Sequence, residues 1–168
     1  QRPYAVTANP TDAPKAVFVS TFSDMPLAAD FEVALKGNEA DFQTGVDALA
    51  KIAKVYLGVK PSASSALINA KNAEVTVVDG KCPAGNVGVQ INHLSPVNKG
   101  EVVWTLGAEE VIFIGRLFNT GKVDLTRTIA VAGSEIKALA IITICNSPPL
   151  SALQCLPASF STPNVFNT

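Results

Sequence analysis

The side chains that most often do chemistry are few in this chain, and their spacing does not group them. His93 is the only histidine among the 168 residues, and the three cysteines, Cys82, Cys145 and Cys155, form no CxxC pair. No serine lies in a GxSxG elbow, and no cysteine stands at the spacing of a known nucleophile signature. We therefore expect His93 to make a core or surface hydrogen bond, and the cysteines to be reduced structural thiols in a cytosolic compartment rather than zinc ligands.

Two adjacent carboxylates, Glu109 and Glu110, could serve as a general acid and base. Neighbouring positions on a helix point to different faces, so the two carboxylates would not converge on one substrate. Acidic residues also stabilise the first turn of a helix because they interact with its dipole. This second explanation fits the pair better, and the sequence predicts no catalytic residue.

Glycine-rich loops that hold phosphate are the next pattern to consider. A nucleotide-binding βαβ unit needs glycines between its first strand and helix, because only glycine lets the backbone amides approach a pyrophosphate. Here that join, residues 20–38, has one glycine and Pro26, and neither GxGxxG nor GxxxxGK[ST] occurs anywhere. The loop Pro83–Gly88 (PAGNVG) has two glycines and could hold an anion or a carbonyl oxygen, but a tight turn leading into a helix is the preferred explanation.

A set of large apolar side chains could line a pocket for a flat apolar ligand such as a quinone. Its members are Trp104, Ile112, Phe113, Leu117 and Phe118. Core packing would place the same residue types at the same spacing. We keep Trp104, Phe113 and Phe118 as candidate quinone-binding residues and core packing as the default explanation.

The composition is that of a folded domain with few charges. Hydrophobic residues make up 48% and charged residues 16%, which argues against disorder. The net charge is −1 without a run of Lys or Arg, so we expect no nucleic-acid partner. The longest apolar stretches, such as Ala138–Cys145, fall short of the roughly 20 residues that cross a bilayer, and no signal sequence opens the chain. We expect the chain to be soluble and, because it begins without Met, to be part of a longer protein.

Hydrophobic periodicity predicts an α/β fold with a parallel sheet. The continuous apolar run Ala16–Thr21 predicts a strand that is covered on both faces. An amphipathic helix follows from Asn38, the predicted N-cap, and Lys54–Lys60 and Ala73–Val78 predict two further strands. Strand, helix and strand in this order indicate a βαβ unit.

The second half of the chain completes the α/β pattern and begins a second β unit. The predicted elements are a helix within Lys81–Leu94 that begins near Gly85, a strand Glu101–Thr105 and a mostly buried helix within Gly107–Gly121. They are followed by an extended segment Thr126–Ala132, two further extended pieces that make up the segment Glu135–Ile144, and a helical turn around Leu150–Leu156. The interior VIFIG of the Gly107–Gly121 segment could also be a strand by propensity alone. We expect the second β unit to be truncated.

Five segments of the chain, taken in order, resemble one family. They are QRPY, ANPTDAPKAVFVS, KGNEADFQTGVDALAK, CPAGNVGVQINHLSPV and VIFIGRLFNTGKVDLTRTIAVAG. Together they resemble the A subunit of the Na+-translocating NADH:quinone oxidoreductase, from residue 1 to about residue 137. Two departures are a cysteine, Cys82, where the family usually has a histidine before the PAG loop, and a poor match over residues 138–168.

The resemblance implies a fold and a setting. The fold is a Rossmann-like domain over residues 1–124, related to the flavin subunit of respiratory complex I but without its flavin site, and then the start of a β-grasp module of the soluble-ligand-binding type over residues 125–168. The setting is a peripheral subunit on the cytoplasmic face of the bacterial inner membrane, which contacts the membrane only through partner subunits. Those partners would hold FAD, FMN, riboflavin and iron–sulfur clusters, and this chain would hold no cofactor.

Three hypotheses about function follow. The first is a non-catalytic structural and interaction fragment of the A subunit, whose partners are the other subunits of the sodium-pumping complex. The second is a quinone-binding module that uses the apolar set near Trp104 and Phe118. The third, suggested by the relatives in complex I, is a flavoprotein that acts alone.

Overall fold

The computed structural model describes residues 1–3, 6–24, 30–131 and 140–144. The chain divides into two compact units, Gln1–Val123 and Asp124–Thr168. In its described part the first unit contains four strands and five helices, and the second contains two strands. The alternation of strands and helices confirms the α/β fold class.

A four-stranded parallel sheet forms the centre of the first unit. Its strands are β1 (Ala16–Ser20), β2 (Lys54–Val59), β3 (Glu74–Val77) and β4 (Val103–Gly107), in the order β3-β2-β1-β4. The first four residues of β1 are buried, as expected for an inner strand of a parallel sheet that is covered on both faces. The predicted strands and the βαβ connection are therefore confirmed.

Five helices connect these strands. They are α1 (Phe31–Leu35), α2 (Glu39–Ala50), α3 (Ser65–Ile68), α4 (Val87–Leu94) and α5 (Ala108–Thr120). α2, α4 and α5 confirm the predicted helices, so the VIFIG segment is helical. The prediction that the last of them is mostly buried is wrong, because only Ala108, Val111, Ile112 and Gly115 of α5 are buried, on the side that faces the core. α4 begins two residues after Gly85, because the Asn86 side chain accepts a hydrogen bond from the Gly88 amide at 2.8 Å and caps the helix there. α1 and α3 were not predicted, since five and four residues are too few to show a helical period.

Asn38 is the N-cap residue of α2, as predicted, and its carbonyl oxygen accepts from the Phe42 amide at 2.9 Å. Its side chain, however, makes no capping hydrogen bond. Its Nδ2 donates to the carbonyl oxygen of Ala34 at 2.8 Å, and its Oδ1 accepts from Arg116 Nη2 at 3.0 Å. The amide therefore joins the turn after α1 to α5, and both of its ends are used in those contacts.

Each face of the sheet carries its own apolar cluster. The larger cluster joins strand residues such as Val17 and Leu57 to buried residues of α2 and α5, and the smaller one joins Phe18 and Val103 to Ile91 of α4. Alternate residues of β1 point to opposite faces and thus enter both clusters. This arrangement explains why the sequence of β1 is apolar without interruption.

The contact between α2 and α5 depends on two glycines. A Cβ at Gly45 would overlap the carbonyl oxygen of Val111, and a Cβ at Gly115 would overlap that of Asp41. The two backbones therefore touch directly, and no larger residue fits at either position without moving a helix. Asn119 Nδ2 donates to Asp41 Oδ1 at 2.7 Å at the end of this contact.

The described strands of the second unit form an antiparallel pair. β5 (Arg127–Val131) lies against β6 (Ala140–Ile144), with Ile129 opposite Ile142. The strand β5 confirms the extended segment predicted over Thr126–Ala132, and β6 confirms the end of the second one. The beginning of that second segment, the predicted turn around Leu150–Leu156, and Cys145 and Cys155 lie outside the described residues.

We expect Gly115→Ala to destabilise the first unit. The added methyl contributes about 1 kcal/mol of helix propensity but overlaps the Asp41 carbonyl oxygen, so we expect a net loss of about 2 kcal/mol in the free energy of unfolding. Urea denaturation followed by circular dichroism measures the loss. The matched control is Gly88→Ala in α4, where a Cβ meets only the Asn86 side-chain oxygen at 3.2 Å, so the change should be less than about 1 kcal/mol. Equal stability of the two variants would contradict the proposed backbone contact.

Candidate functional site

The topology of the sheet singles out one edge as the candidate site. From β1 the chain crosses to β2 on one side, whereas from β3 it returns to β4 on the other side of β1. In open α/β sheets, ligands bind at the carboxyl ends of the strands where the strand order reverses in this way. The residues in question are Thr21–Asp24 after β1, Gly107–Glu110 after β4, and the loop Pro83–Gly88 before α4.

A carboxylate of the chain itself occupies the loop at this edge. Asp24 Oδ2 accepts a short hydrogen bond from the backbone amide of Gly85. A Cβ at Gly85 would lie 2.8 Å from this carboxylate and 2.9 Å from the backbone nitrogen of Asp24, so only glycine fits. The amide that could have bound an anionic ligand already has an anionic acceptor.

Most other backbone groups of the loop are also paired within the chain. The Ala84 amide donates to the Lys81 carbonyl at 3.0 Å, the Asn86 amide donates to the Pro83 carbonyl at 2.9 Å, and the Ala84 carbonyl accepts from Gln90 Nε2 at 3.2 Å. Together with the Asn86 cap of α4, these bonds use the donors that a phosphate would need. The geometry therefore supports the tight-turn explanation of PAGNVG.

Gln90 is a structural residue of this site that the sequence reasoning missed. Its side chain is 4% exposed, lies among the apolar residues of α4, and packs against Gly58 of β2, where a Cβ would meet Gln90 Oε1. A buried amide must be hydrogen-bonded, and Gln90 meets this need by holding the loop carbonyl of Ala84. The sequence did contain a signal for this role, because Gln90 is a polar residue on the apolar side of a predicted helix, directly before Ile91.

Acidic side chains dominate the same edge. Glu109 and Glu110 lie in the first turn of α5, as predicted, and the Glu110 carboxylate lies where a Cβ of Gly107 would be. Asp30 caps α1, where its Oδ1 accepts from the Glu32 amide at 3.2 Å. Because like charges repel, this edge disfavours a phosphorylated ligand.

A small open pocket lies beside β1 and β2. Its volume is about 100 Å³, and it is lined by Thr21, Phe22, Asp30, Glu32, Lys60, Ser62, Ala63 and Leu67. Lys60 Nζ lies 5.5 Å from the centre of the Phe22 ring, and Glu32 Oε1 accepts from the Ser64 amide at 2.6 Å. Pockets for drug-sized ligands and cofactors span roughly 300–1,000 Å³, so this one has room for a small polar group only.

The structure does not bring the predicted quinone set into one pocket. Ile112 is buried in the larger apolar cluster, and Trp104 packs against that cluster from β4. Phe113 is half-buried outside it, whereas Leu117 and Phe118 are 40% and 65% exposed. The set therefore divides into core residues and an exposed pair on α5.

Trp104 has one unusual feature. Its Nε1 atom is buried and has no hydrogen-bond acceptor within the part of the chain that the structure describes. An unpaired buried donor costs about 1–3 kcal/mol, and such a group often marks a water or ligand position. The unpaired Nε1 atom is therefore a specific reason to consider Trp104 as a ligand contact.

His93 and Cys82 are both exposed, and Cys82 directly precedes the loop Pro83–Gly88. The exposed His93 places Nδ1 2.9 Å from the carbonyl oxygen of Val89, one turn earlier in α4, which is the surface hydrogen bond that we expected. Cys82 is an exposed free thiol.

Over the described ranges, no group of three His, Cys, Asp or Glu residues could hold a metal ion. None of the helices in those ranges has the length and apolarity needed to span a bilayer.

Comparison with known proteins gives consistent matches. Residues 1–123 match the family model described as the NqrA second alpha/beta domain. The A subunit of the Na(+)-translocating NADH-quinone reductase of Photorhabdus laumondii is 36% identical over 146 residues, which are 86% of this chain and 33% of the relative. The corresponding proteins of Serratia proteamaculans and Hahella chejuensis are each 37% identical, over 81% and 80% of this chain and 31% of their own length. The chain thus spans about a third of the length of these relatives.

We expect Asp24→Ala to destabilise the carboxyl edge. The Gly85 amide would lose its acceptor in a partly buried position, so the free energy of unfolding should fall by about 1–3 kcal/mol in urea denaturation. Asp24→Asn keeps one acceptor oxygen, so its free energy of unfolding should fall by less. The control is Asp79→Ala, which removes the same charge from an exposed position. If Asp24→Ala and Asp79→Ala were equally stable, the Asp24 contact would have no structural role.

Proposed function

The chain belongs to the family of the NqrA second alpha/beta domain, and we propose that it is a structural and interaction domain of the A subunit in a Na+-translocating NADH-quinone reductase. In this proposal the domain itself holds no redox cofactor. Hydride and electron transfer need cofactors, and FAD, FMN, riboflavin and iron–sulfur clusters belong to the partner subunits. The domain is peripheral on the cytoplasmic face, and its membrane contact is indirect.

The Asp24 contact with Gly85 is the observation that carries this proposal. A phosphorylated cofactor at this edge would have to displace a carboxylate from the loop amide. It would then meet the further negative charges of Glu109 and Glu110 in the first turn of α5. Each step costs free energy, because the displaced carboxylate loses a charge-assisted hydrogen bond and like charges approach each other.

The strand order supports a Rossmann-like ancestry for the domain. The order β3-β2-β1-β4 equals the first part of the 3-2-1-4-5-6 order of dinucleotide-binding sheets. In the second unit, an antiparallel pair such as β5–β6 is what a β-grasp module would begin with. Such an ancestry combined with a loop that is filled by Asp24 fits a domain that keeps the shape of a cofactor-binding fold without its ligand.

The surface of α5 supports an interaction role. Leu117 and Phe118 are 40% and 65% exposed, and Val123 just beyond the helix is 61% exposed. Exposed aromatic residues are enriched at protein–protein interfaces, where charged residues are depleted. A face of this kind on a chain with only 16% charged residues fits contact with another part of the complex.

The second candidate function is a quinone-binding module within the same subunit. The unpaired Trp104 Nε1 favours it, because a quinone carbonyl could accept that hydrogen bond. The 65% exposure of Phe118 weighs against a preformed pocket that would hold both residues. We therefore place this function second.

Ligand titration separates the two candidates. Trp104 is the only tryptophan, so its fluorescence reports on this position alone. With a soluble quinone we expect no saturable quenching after correction for the inner-filter effect, and with FMN we expect no binding and a colourless protein. Saturable quenching by quinone would establish the second candidate instead. A stoichiometric yellow flavin complex would overturn both candidates in favour of a flavoprotein.

The interaction role predicts a defect in assembly without a defect in folding. We expect Phe118→Ser in the complete NqrA protein to lower its co-purification with the other subunits about tenfold, since a central aromatic contact is worth about 1–2 kcal/mol or more. The melting temperature of the isolated chain should stay the same, because Phe118 is mostly exposed. The control is Val97→Ser at a position that is 42% exposed outside α5. Normal assembly of the Phe118→Ser protein would exclude this face as an interface.

A further inference from the structure

The outer edge of β4 already pairs with one residue of the main chain. The Thr105 amide donates to the carbonyl oxygen of Gln1 at 2.7 Å, and the Gln1 nitrogen donates to the carbonyl oxygen of Thr105 at 3.1 Å. Two residues that exchange both bonds form the hydrogen-bonded pair of an antiparallel ladder. Gln1 therefore occupies the position of a strand residue beside β4.

Alternation along β4 identifies the next free position on this edge. The carbonyl oxygen of Val102 accepts a hydrogen bond from the Lys15 amide at 2.8 Å, on the side of β1. The backbone amides and carbonyls of the even-numbered residues in this segment therefore point toward β1. The backbone amide and carbonyl of Thr105 point the opposite way, and those of Gly107, two residues later, point toward the same outer edge. Gly107 is exposed and has no side chain of its own, so another backbone can approach it beside the Glu110 carboxylate, which lies where a Cβ of Gly107 would be.

The direction of the pairing fixes where it can continue. In an antiparallel register, the residue before Gln1 stands opposite Leu106, and the one before that stands opposite Gly107. On the other side of Gln1 the ladder stops, because Pro3, which would stand opposite Val103, has no amide to donate and lies in a 3₁₀ turn. The ladder can therefore grow only toward the carboxyl edge of the sheet.

We propose that the outer edge of β4 is a docking edge for extended main chain, and that its occupant is the segment that precedes this domain in the longer members of the family. Two observations support this occupant over a strand from another molecule. The matching family is that of a second α/β domain, and the matched part of the chain covers only about a third of the length of the relatives. Gln1 has already entered the edge in the required direction.

This occupant would bring new main chain to the candidate site. A segment opposite Leu106 and Gly107 passes the start of α5, where the Glu110 carboxylate lies against Gly107. It would thus lie one strand away from the junction of β1 and β4, where a ligand binds in related sheets. The inference rests on family membership, and it holds whether or not the domain binds a quinone.

Hydrogen exchange in the complete NqrA protein tests this proposal. We expect the Gly107 amide to exchange at least tenfold more slowly in complete NqrA than in the present chain, whereas the Thr105 amide is protected in both. A close contact between the Hα atoms of Leu106 and of the residue before Gln1, seen by NMR, would confirm the register. Equal exchange of Gly107 in the two proteins together with absence of this Hα contact would overturn the proposal.

Two proline variants make the test specific, and neither changes a residue of this domain. Proline placed two residues before Gln1 removes the amide that would donate to the Gly107 carbonyl, so the added protection of the Gly107 amide should be lost. Proline placed one residue before Gln1 is the control, because the amide at that position points away from β4. Identical exchange in both variants would contradict the register. Protection that rises with protein concentration would identify a strand from a second molecule and overturn the proposed occupant.

Discussion

The direct backbone contact between α2 and α5 holds together the layer that covers one face of the sheet. Gly45 and Gly115 permit this approach, and Asp41 and Asn119 close its end with a hydrogen bond. The position of α5 in turn sets where β4 ends, because Gly107 is both the last residue of β4 and the N-cap of α5. The end of β4 and the acidic first turn of α5 are therefore positioned by a contact that needs glycine at two places.

Local patterns in the sequence were sufficient to predict the four strands and the three longer helices described in the first unit. β1 was recognisable because both of its faces are buried, and α5 was recognisable by its acidic first turn and by Gly121, which takes a left-handed conformation with φ of 68°. The short helices α1 and α3 could not be predicted from periodicity. They exist because the chain must turn back at the carboxyl edge, where Glu32 accepts the Ser64 amide and joins one to the other.

The chemistry of the site was only partly predictable. The lack of a phosphate-binding loop was evident from the spacing of the glycines, but the contact that fills the loop was not. Asp24 and Gly85 are 61 residues apart, and only the path of the folded chain brings them together. Asn38 and Gln90 show the same limit, because each uses its amide for a partner that local sequence rules do not indicate. The hypothesis of a quinone pocket depended on side chains that the fold divides between the core and the surface of α5.

The partial cover of β4 by Gln1 has a consequence for the behaviour of the isolated domain. An uncovered strand edge is a template for aggregation, because its unpaired amides and carbonyls can bind the same edge of another molecule. In the part of the chain that the structure describes, Gln1 is the residue that pairs with this edge, and the Glu110 carboxylate is the charged group beside Gly107. The domain expressed by itself would therefore tend to associate at high protein concentration. The N-terminal boundary chosen for a recombinant fragment would affect its solubility.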